Sequence, residues 1–231
     1  MISRKELLED FWKFLDLCED YYDFGYHKNH PEPPVFPQPR KISPRETQLM
    51  EFYHKIEDCQ GCLYRYNKGR GKIAQGPLSP GLCIVAMAPD LEPSQEDSVF
   101  SQKAGEYLEK WLEAIEINIQ DVYCTHILKC RPPHKESKHW TESSICLELF
   151  KQQMELVKPK VLLSLGESAA QLLTNETEKS LHELEGGIYS FLGIPLFCTH
   201  HPYDVLKNPS LRSAVWADLK HLRSFMNQEK L

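Results

Sequence analysis

An apolar run from Val122 to Leu128 ends abruptly in Lys129-Cys130-Arg131-Pro132-Pro133, and this junction limits the possible folds more than any other stretch. Continuous apolar character marks a strand buried on both faces, the situation in a parallel sheet covered by helices. Consecutive prolines continue neither a strand nor a helix interior. The strand therefore opens into a stiff turn carrying a thiol and two cations, at its carboxyl end, where open α/β sheets place their sites.

Three more short apolar runs, Leu82 to Met87, Lys160 to Leu165 and Leu196 to Thr199, read as strands. Helical spacing covers about Lys103 to Ile115, Trp140 to Val157 with Thr141 as a cap, Gly166 to Leu173, and Ser210 to Met226. Strands alternating with helices at these intervals imply an α/β fold, a central, mostly parallel four-stranded sheet covered on both faces. Upstream, residues 2 to 18 have amphipathic spacing, Pro31 to Pro44 is too proline-rich for regular structure, and Pro44 to Ile56 reads as a helix capped by Ser43 with Glu46 three residues on. The expected division is an N-terminal helical and Pro-rich extension over 1–55 and a main domain over 56–231. With 231 residues and 41% hydrophobic content the chain can bury one good core plus appendages. It has no apolar run long enough for a membrane span and no signal-peptide core at its start, which gives the expectation of a soluble cytoplasmic protein.

A net charge of −6 argues against nonspecific coating of nucleic acid but leaves room for local basic patches. Arg65, Lys68 and Arg70, interleaved with Tyr64 and Tyr66, form one such segment, and Lys129 with Arg131 a second. Each is either a phosphate-contacting surface or a solvated loop. Among the eight cysteines, Cys59-x-x-Cys62 brings two thiolates onto one centre through a tight turn, as structural zinc and iron–sulfur sites both require. Cys130 and Cys146, beside the ends of elements, are the best candidates for the remaining ligands. Cys83, Cys124 and Cys198 fall within strands and read as small buried apolar residues, and Cys18 lies on the first helix. Spacing alone does not separate zinc from a four-iron cluster.

Taken together, the CxxC at 59 to 62, the Tyr123 to Pro133 stretch, Cys146, the Pro159 to Gly166 strand and Thr199-His200-His201-Pro202 resemble the family four uracil-DNA glycosylases over roughly residues 59 to 226. The resemblance implies a three-layer αβα sandwich, a 4Fe-4S cluster (zinc being the alternative) held by Cys59, Cys62, Cys130 and Cys146, and DNA containing uracil or another damaged base as the partner. It implies cleavage of the bond between base and deoxyribose after the nucleotide is flipped from the stack. His201 matches the histidine that serves the leaving base, and Phe100 the ring on which that base stacks. Ala88-Pro89 match the centre of the family pattern GEAPG, against the base.

The same alignment has departures. Met87 stands where GEAPG has its acid, and Asp90 where it has its second glycine, making Asp90 a candidate for positioning water. His126 replaces the asparagine that reads the base edge; an imidazole offers donor and acceptor on opposite sides of a ring, an amide on one edge. Plainer roles are a strand-end histidine for His126, a turn residue for His201 and a core aromatic for Phe100. Three functions compete: a base-excision glycosylase with exchanged groups, a DNA-binding relative without turnover, and a metal-stapled protein-interaction scaffold. The first is the expectation carried forward, with His126 at the base edge and Arg65, Lys68, Arg70, Lys129 and Arg131 on phosphates.

Overall fold

A computed structural model describes residues 4–24, 42–62, 73–89, 99–131 and 140–231. The chain forms two units, Met1–Ile42 and Ser43–Leu231. In the first, helix α1 (Arg4–Phe24) exposes Leu8, Phe11, Trp12 and Leu15 at helical spacing.

The second unit begins ahead of helix α2 (Pro44–Glu57), not at 55/56, because α2 buries Leu49, Phe52 and Ile56 in one of the two cores. Its start is a capping box: the Ser43 hydroxyl accepts from the Glu46 amide at 3.2 Å, and the Glu46 carboxylate accepts from the Ser43 amide at 2.7 Å. There follow β1 (Ala74–Gln75), β2 (Leu82–Ala86), α3 (Gln102–Ala114), β3 (Val122–His126), α4 (Trp140–Val157), β4 (Val161–Leu165), α5 (Glu167–Thr174), α6 (Leu181–Leu184), β5 (Tyr189–Phe191), β6 (Ile194–Thr199), α7 (Pro202–Lys207) and α8 (Arg212–Gln228). Arg45 fastens α2 to the end of α4, donating to the carbonyls of Leu156 and Val157 at 2.5 and 2.9 Å.

The sheet order is β1-β3-β2-β4-β6-β5. The inner four are the expected parallel strands, and β1 and β5 add a short antiparallel strand at each edge, so the sheet has six strands and not four. Successive side chains of a strand face opposite sides. Leu82, Ile84, Cys124, Leu163 and Phe197 accordingly pack with α3 and α8, whereas Cys83, Val85, Tyr123, Leu162 and Cys198 pack with α2, α4 and α5. The result is the expected three-layer αβα arrangement. At β1 the backbones come so close that Gly76, at φ +127°, leaves no room for a side chain: a Cβ there would lie 2.3 Å from the Val122 carbonyl oxygen.

Parallel register brings the strand ends to one level, pairing Ala86 with both His126 and Leu165, and Leu165 with Thr199. β3 stops at His126, earlier than the apolar run does, because the amides of Ile127 and Leu128 turn to the carbonyls of Ala86 and Met87. Among the described residues no helix is long and apolar enough to cross a membrane.

Candidate active site and cysteine centre

Everything just past the aligned strand ends faces one rim of the sheet. Met87, Ala88 and Pro89 leave β2 half-buried, and Asp90 lies outside the described residues. Gly166 follows β4 at φ +86°, a conformation that favours glycine, and passes close to His201: a Cβ there would sit 3.5 Å from the His201 Cβ. Thr199 ends β6 and delivers His200, His201 and Pro202 to the same rim.

His201 caps helix α7. Its Nδ1 accepts from the Tyr203 amide at 3.2 Å, so in the neutral ring the proton resides on Nε2, which becomes a donor. Phe100, 3% exposed at the head of α3, stands edge-on to His126 at 5.2 Å and to His201 at 6.3 Å between ring centroids. Residues from three separate elements, Phe100, His126 and His201, thus converge. A cavity of ≈ 250 Å³ is lined by Phe100, Gln102, Glu106 and Glu109, and neither His126 nor His201 lines it. Its two carboxylates make it a poor place for an anionic leaving base.

His200 turns away, its Nε2 2.7 Å from the Glu185 carboxylate. Behind it the Thr199 hydroxyl donates to Asp218 of α8 at 2.7 Å. Burial pushes the Asp218 carboxyl up to about 6, with the Thr199 bond opposing the shift and the Glu185 charge adding to it. This cluster tethers the strand end that carries His201. Asp218 and Glu185 escaped notice in the sequence. The available signal was a carboxylate at the position of α8 that shares a face with Val215, Leu219 and Leu222.

The cysteines fall on different elements. Cys83, Cys124 and Cys198 are buried strand residues, and burial pushes their thiols up, Cys124 to about 12 and Cys198 to about 11. Cys59 follows α2, and the Gly61 amide donates to its sulfur at 3.4 Å. Gly61 in turn abuts α4: a Cβ there would meet Ile145 at 3.0 Å, beside Cys146. Burial raises the Cys146 thiol; the backbone amide and ammonium of Lys129 oppose this, and the charges of Cys62 and Cys59 reinforce it. Cys146 is thereby adjacent to the CxxC turn on one side and to the Lys129-Cys130 backbone on the other. Among the described residues no group of three His, Cys, Asp or Glu closes on a single metal ion.

Lys129 corrects the sequence expectation. Its side chain is buried, and its ammonium donates inward to Gln153 Oε1 and the His126 carbonyl, both at 2.5 Å, and to Thr125 Oγ1 at 3.2 Å. Burial pushes it down to about 7. It is 8% exposed and engaged with these inward partners, so it stands inside the fold and not on a phosphate-contacting surface. The network continues from Gln153 Nε2 to Tyr123 at 2.8 Å and on to Tyr53. Arg131 is half-buried, and Arg65, Lys68 and Arg70 lie outside the described residues.

Comparison with known proteins follows the same outline. A Type-4 uracil-DNA glycosylase of Thermotoga maritima is 28% identical over 79% of this chain and 97% of its own length. Proteins of the same description from Pyrobaculum aerophilum and Archaeoglobus fulgidus are 29% and 26% identical, over 74% and 75% of this chain and 91% of their own lengths in both cases. The model of the uracil DNA glycosylase superfamily matches residues 73–220, from the edge strand through the histidine rim and into α8, and the chain belongs to that superfamily.

Proposed function

We propose that this protein is a DNA glycosylase of base excision repair, hydrolysing the N-glycosidic bond of uracil or a related damaged base in DNA. The observation that carries it is the His201 ring: its Nδ1 accepts from the Tyr203 amide, so the neutral ring carries its proton on Nε2, and the ring stands at the rim beside Phe100, which also meets His126. Breaking the glycosidic bond sends the electron pair to the base and leaves a cationic sugar that water captures. A neutral imidazole donor aimed at the departing oxygen stabilises the charge as it develops. Phe100 supplies the stacking face, His126 contacts the base edge, and Ala88-Pro89 form the adjoining wall. Asp90 is the candidate for placing water; Arg131, Arg65, Lys68 and Arg70 are those for phosphates.

The cysteine centre fits a 4Fe-4S cluster held by Cys59, Cys62, Cys130 and Cys146, with zinc as the alternative occupant of a four-thiolate set. The supporting observations are the Gly61 amide on Cys59, the close seat of Gly61 on Ile145 beside Cys146, and the closeness of Cys146 to Cys59 and Cys62. These four residues would hold the group between α2, the loop after β3 and α4, where it would supply a structural crosslink.

The test is excision from single- and double-stranded oligonucleotides carrying one uracil, scored by alkaline cleavage at abasic sites. The expected result is cleavage that His201→Ala reduces by about 10²–10³-fold, the usual cost of one such donor. Met87 favours a second reading, a DNA-binding relative without turnover, because a thioether cannot activate water. Specific DNA binding with no cleavage of uracil or other damaged bases would select it.

A further inference from the structure

Helix α1 carries an apolar seam. Leu8, Phe11, Leu15, Cys18 and Tyr22 recur at alternating spacings of three and four, the a and d positions of a heptad. Leu8, Phe11 and Leu15 are exposed, and so is Trp12 on the flank of the seam, edge-on to Phe11 at 5.9 Å between ring centroids. An exposed apolar stripe of this kind marks an interaction surface. The charges indicate what covers it. Glu6, Glu9, Asp10, Asp16, Asp20 and Asp23 fall at b, c and f positions, away from the seam. On the flanking e and g positions the charged residues are Lys5 and Glu19, of opposite sign and both at e. Parallel helices set e against g, whereas antiparallel helices set e against e, so this pair is complementary to a second α1 running the other way. With Leu8 set against the second copy's Cys18 and Phe11 against its Leu15, Lys5 falls level with Glu19 at both ends of the pair. The order of charge along α1 agrees. Arg4 and Lys5 stand at its positive end and Asp20 and Asp23 near its negative end, unfavourable for a lone helix, and an antiparallel copy lays each basic start beside an acidic end. Seven acids against three bases repel a phosphate backbone or an anionic lipid surface.

We propose that the exposed face of α1 is a self-association surface, on which α1 of a second copy of this chain lies antiparallel. The surface falls outside residues 73–220, the part of the chain that matches the superfamily, so its test is independent of the glycosylase reading.

The experiment is sedimentation equilibrium of the full chain from about 1 μM to about 100 μM, on the wild type and three variants. The wild type is expected to pass from monomer to dimer over this range. Leu15→Asp should raise the dimer Kd at least about 10²-fold, because each dimer loses two buried leucines. Lys5→Glu should raise it at least about fivefold, as two attractive pairs become repulsive. That substitution also puts an acid in the first turn, which favours the lone helix, so the weaker dimer is not a consequence of α1 unfolding. Adding Glu19→Lys to Lys5→Glu restores opposite charges and should return Kd to within about threefold of the wild type. A wild type that stays monomeric throughout overturns the inference and leaves the stripe to a different protein. A dimer that Leu15→Asp or Lys5→Glu does not weaken overturns it by placing the contact elsewhere. Failure of the exchanged pair to recover association overturns the antiparallel arrangement.

Discussion

Replacing Asp218 by Asn gives a test whose sign and size both follow from the structure. Burial raises this carboxyl from 3.8 to about 6, and the Thr199 hydroxyl and Gly186 amide only partly compensate. The folded protein therefore holds the proton more tightly than the unfolded chain does. Stability from this group is full below the ordinary value and is lost as pH rises through about 6. At about 1.4 kcal/mol per unit the shift amounts to roughly 3 kcal/mol, and to about 2 kcal/mol once solvent screening is allowed for. About two thirds of that loss falls between pH 4.5 and 7.5, or about 1 kcal/mol. For a chain of this size it corresponds to a relative Tm change of about 2–4 °C. The assay is thermal unfolding of the wild-type and Asp218→Asn proteins at both pH values, followed by comparison of the two differences. Constant effects of the substitution, including any weaker bond to Thr199, cancel. The wild type should lose ground to the variant as pH rises. A difference that stays fixed, or that grows in favour of the wild type at pH 7.5, would refute the claim that Asp218 is held protonated by burial.

Gly76→Ala meets both an unfavourable φ and a backbone oxygen 2.3 Å away, and should cost at least about 2 kcal/mol, measured as a Tm drop of at least about 4 °C. Met87→Glu places a carboxylate at the rim and should raise uracil excision at least about 10²-fold, the low end of what a positioned base contributes, in the alkaline cleavage assay. With Lys129 withdrawn from the phosphate set, Arg65, Lys68, Arg70 and Arg131 remain, and log K for duplex DNA should fall against log salt with a slope of about −3.6, measured by fluorescence anisotropy.

The four inner strands were legible because each is a short apolar run whose burial on both faces leaves no polar position to confuse the period. The edge strands were not: β1 has two residues and β5 three, too few to show any period. The helix α2 was legible to its capping box, but its membership in the larger unit was not, because that depends on the distant carbonyls of Leu156 and Val157. The rim residues His201, Phe100 and His126 announced themselves by local motif. Lys129 misled for the opposite reason: beside Cys130, Arg131 and two prolines it looks like surface, and only Gln153, twenty-four residues on, takes it inside. Asp218 and Glu185 act through partners on other elements and carry no local motif at all.

The strict alternation of the sheet separates two engineering problems by parity. Ile84, Cys124, Leu163 and Phe197 face the layer that contains Phe100 and α8, and their immediate neighbours along each strand face the layer that supports the cysteine centre. Libraries confined to the first set repack the layer of α3 and α8, and libraries confined to the second repack the layer of α2, α4 and α5, so each layer can be varied with the other held fixed. Lys129 is the point where the two sets cease to be independent, so combined libraries should show their strongest epistasis there.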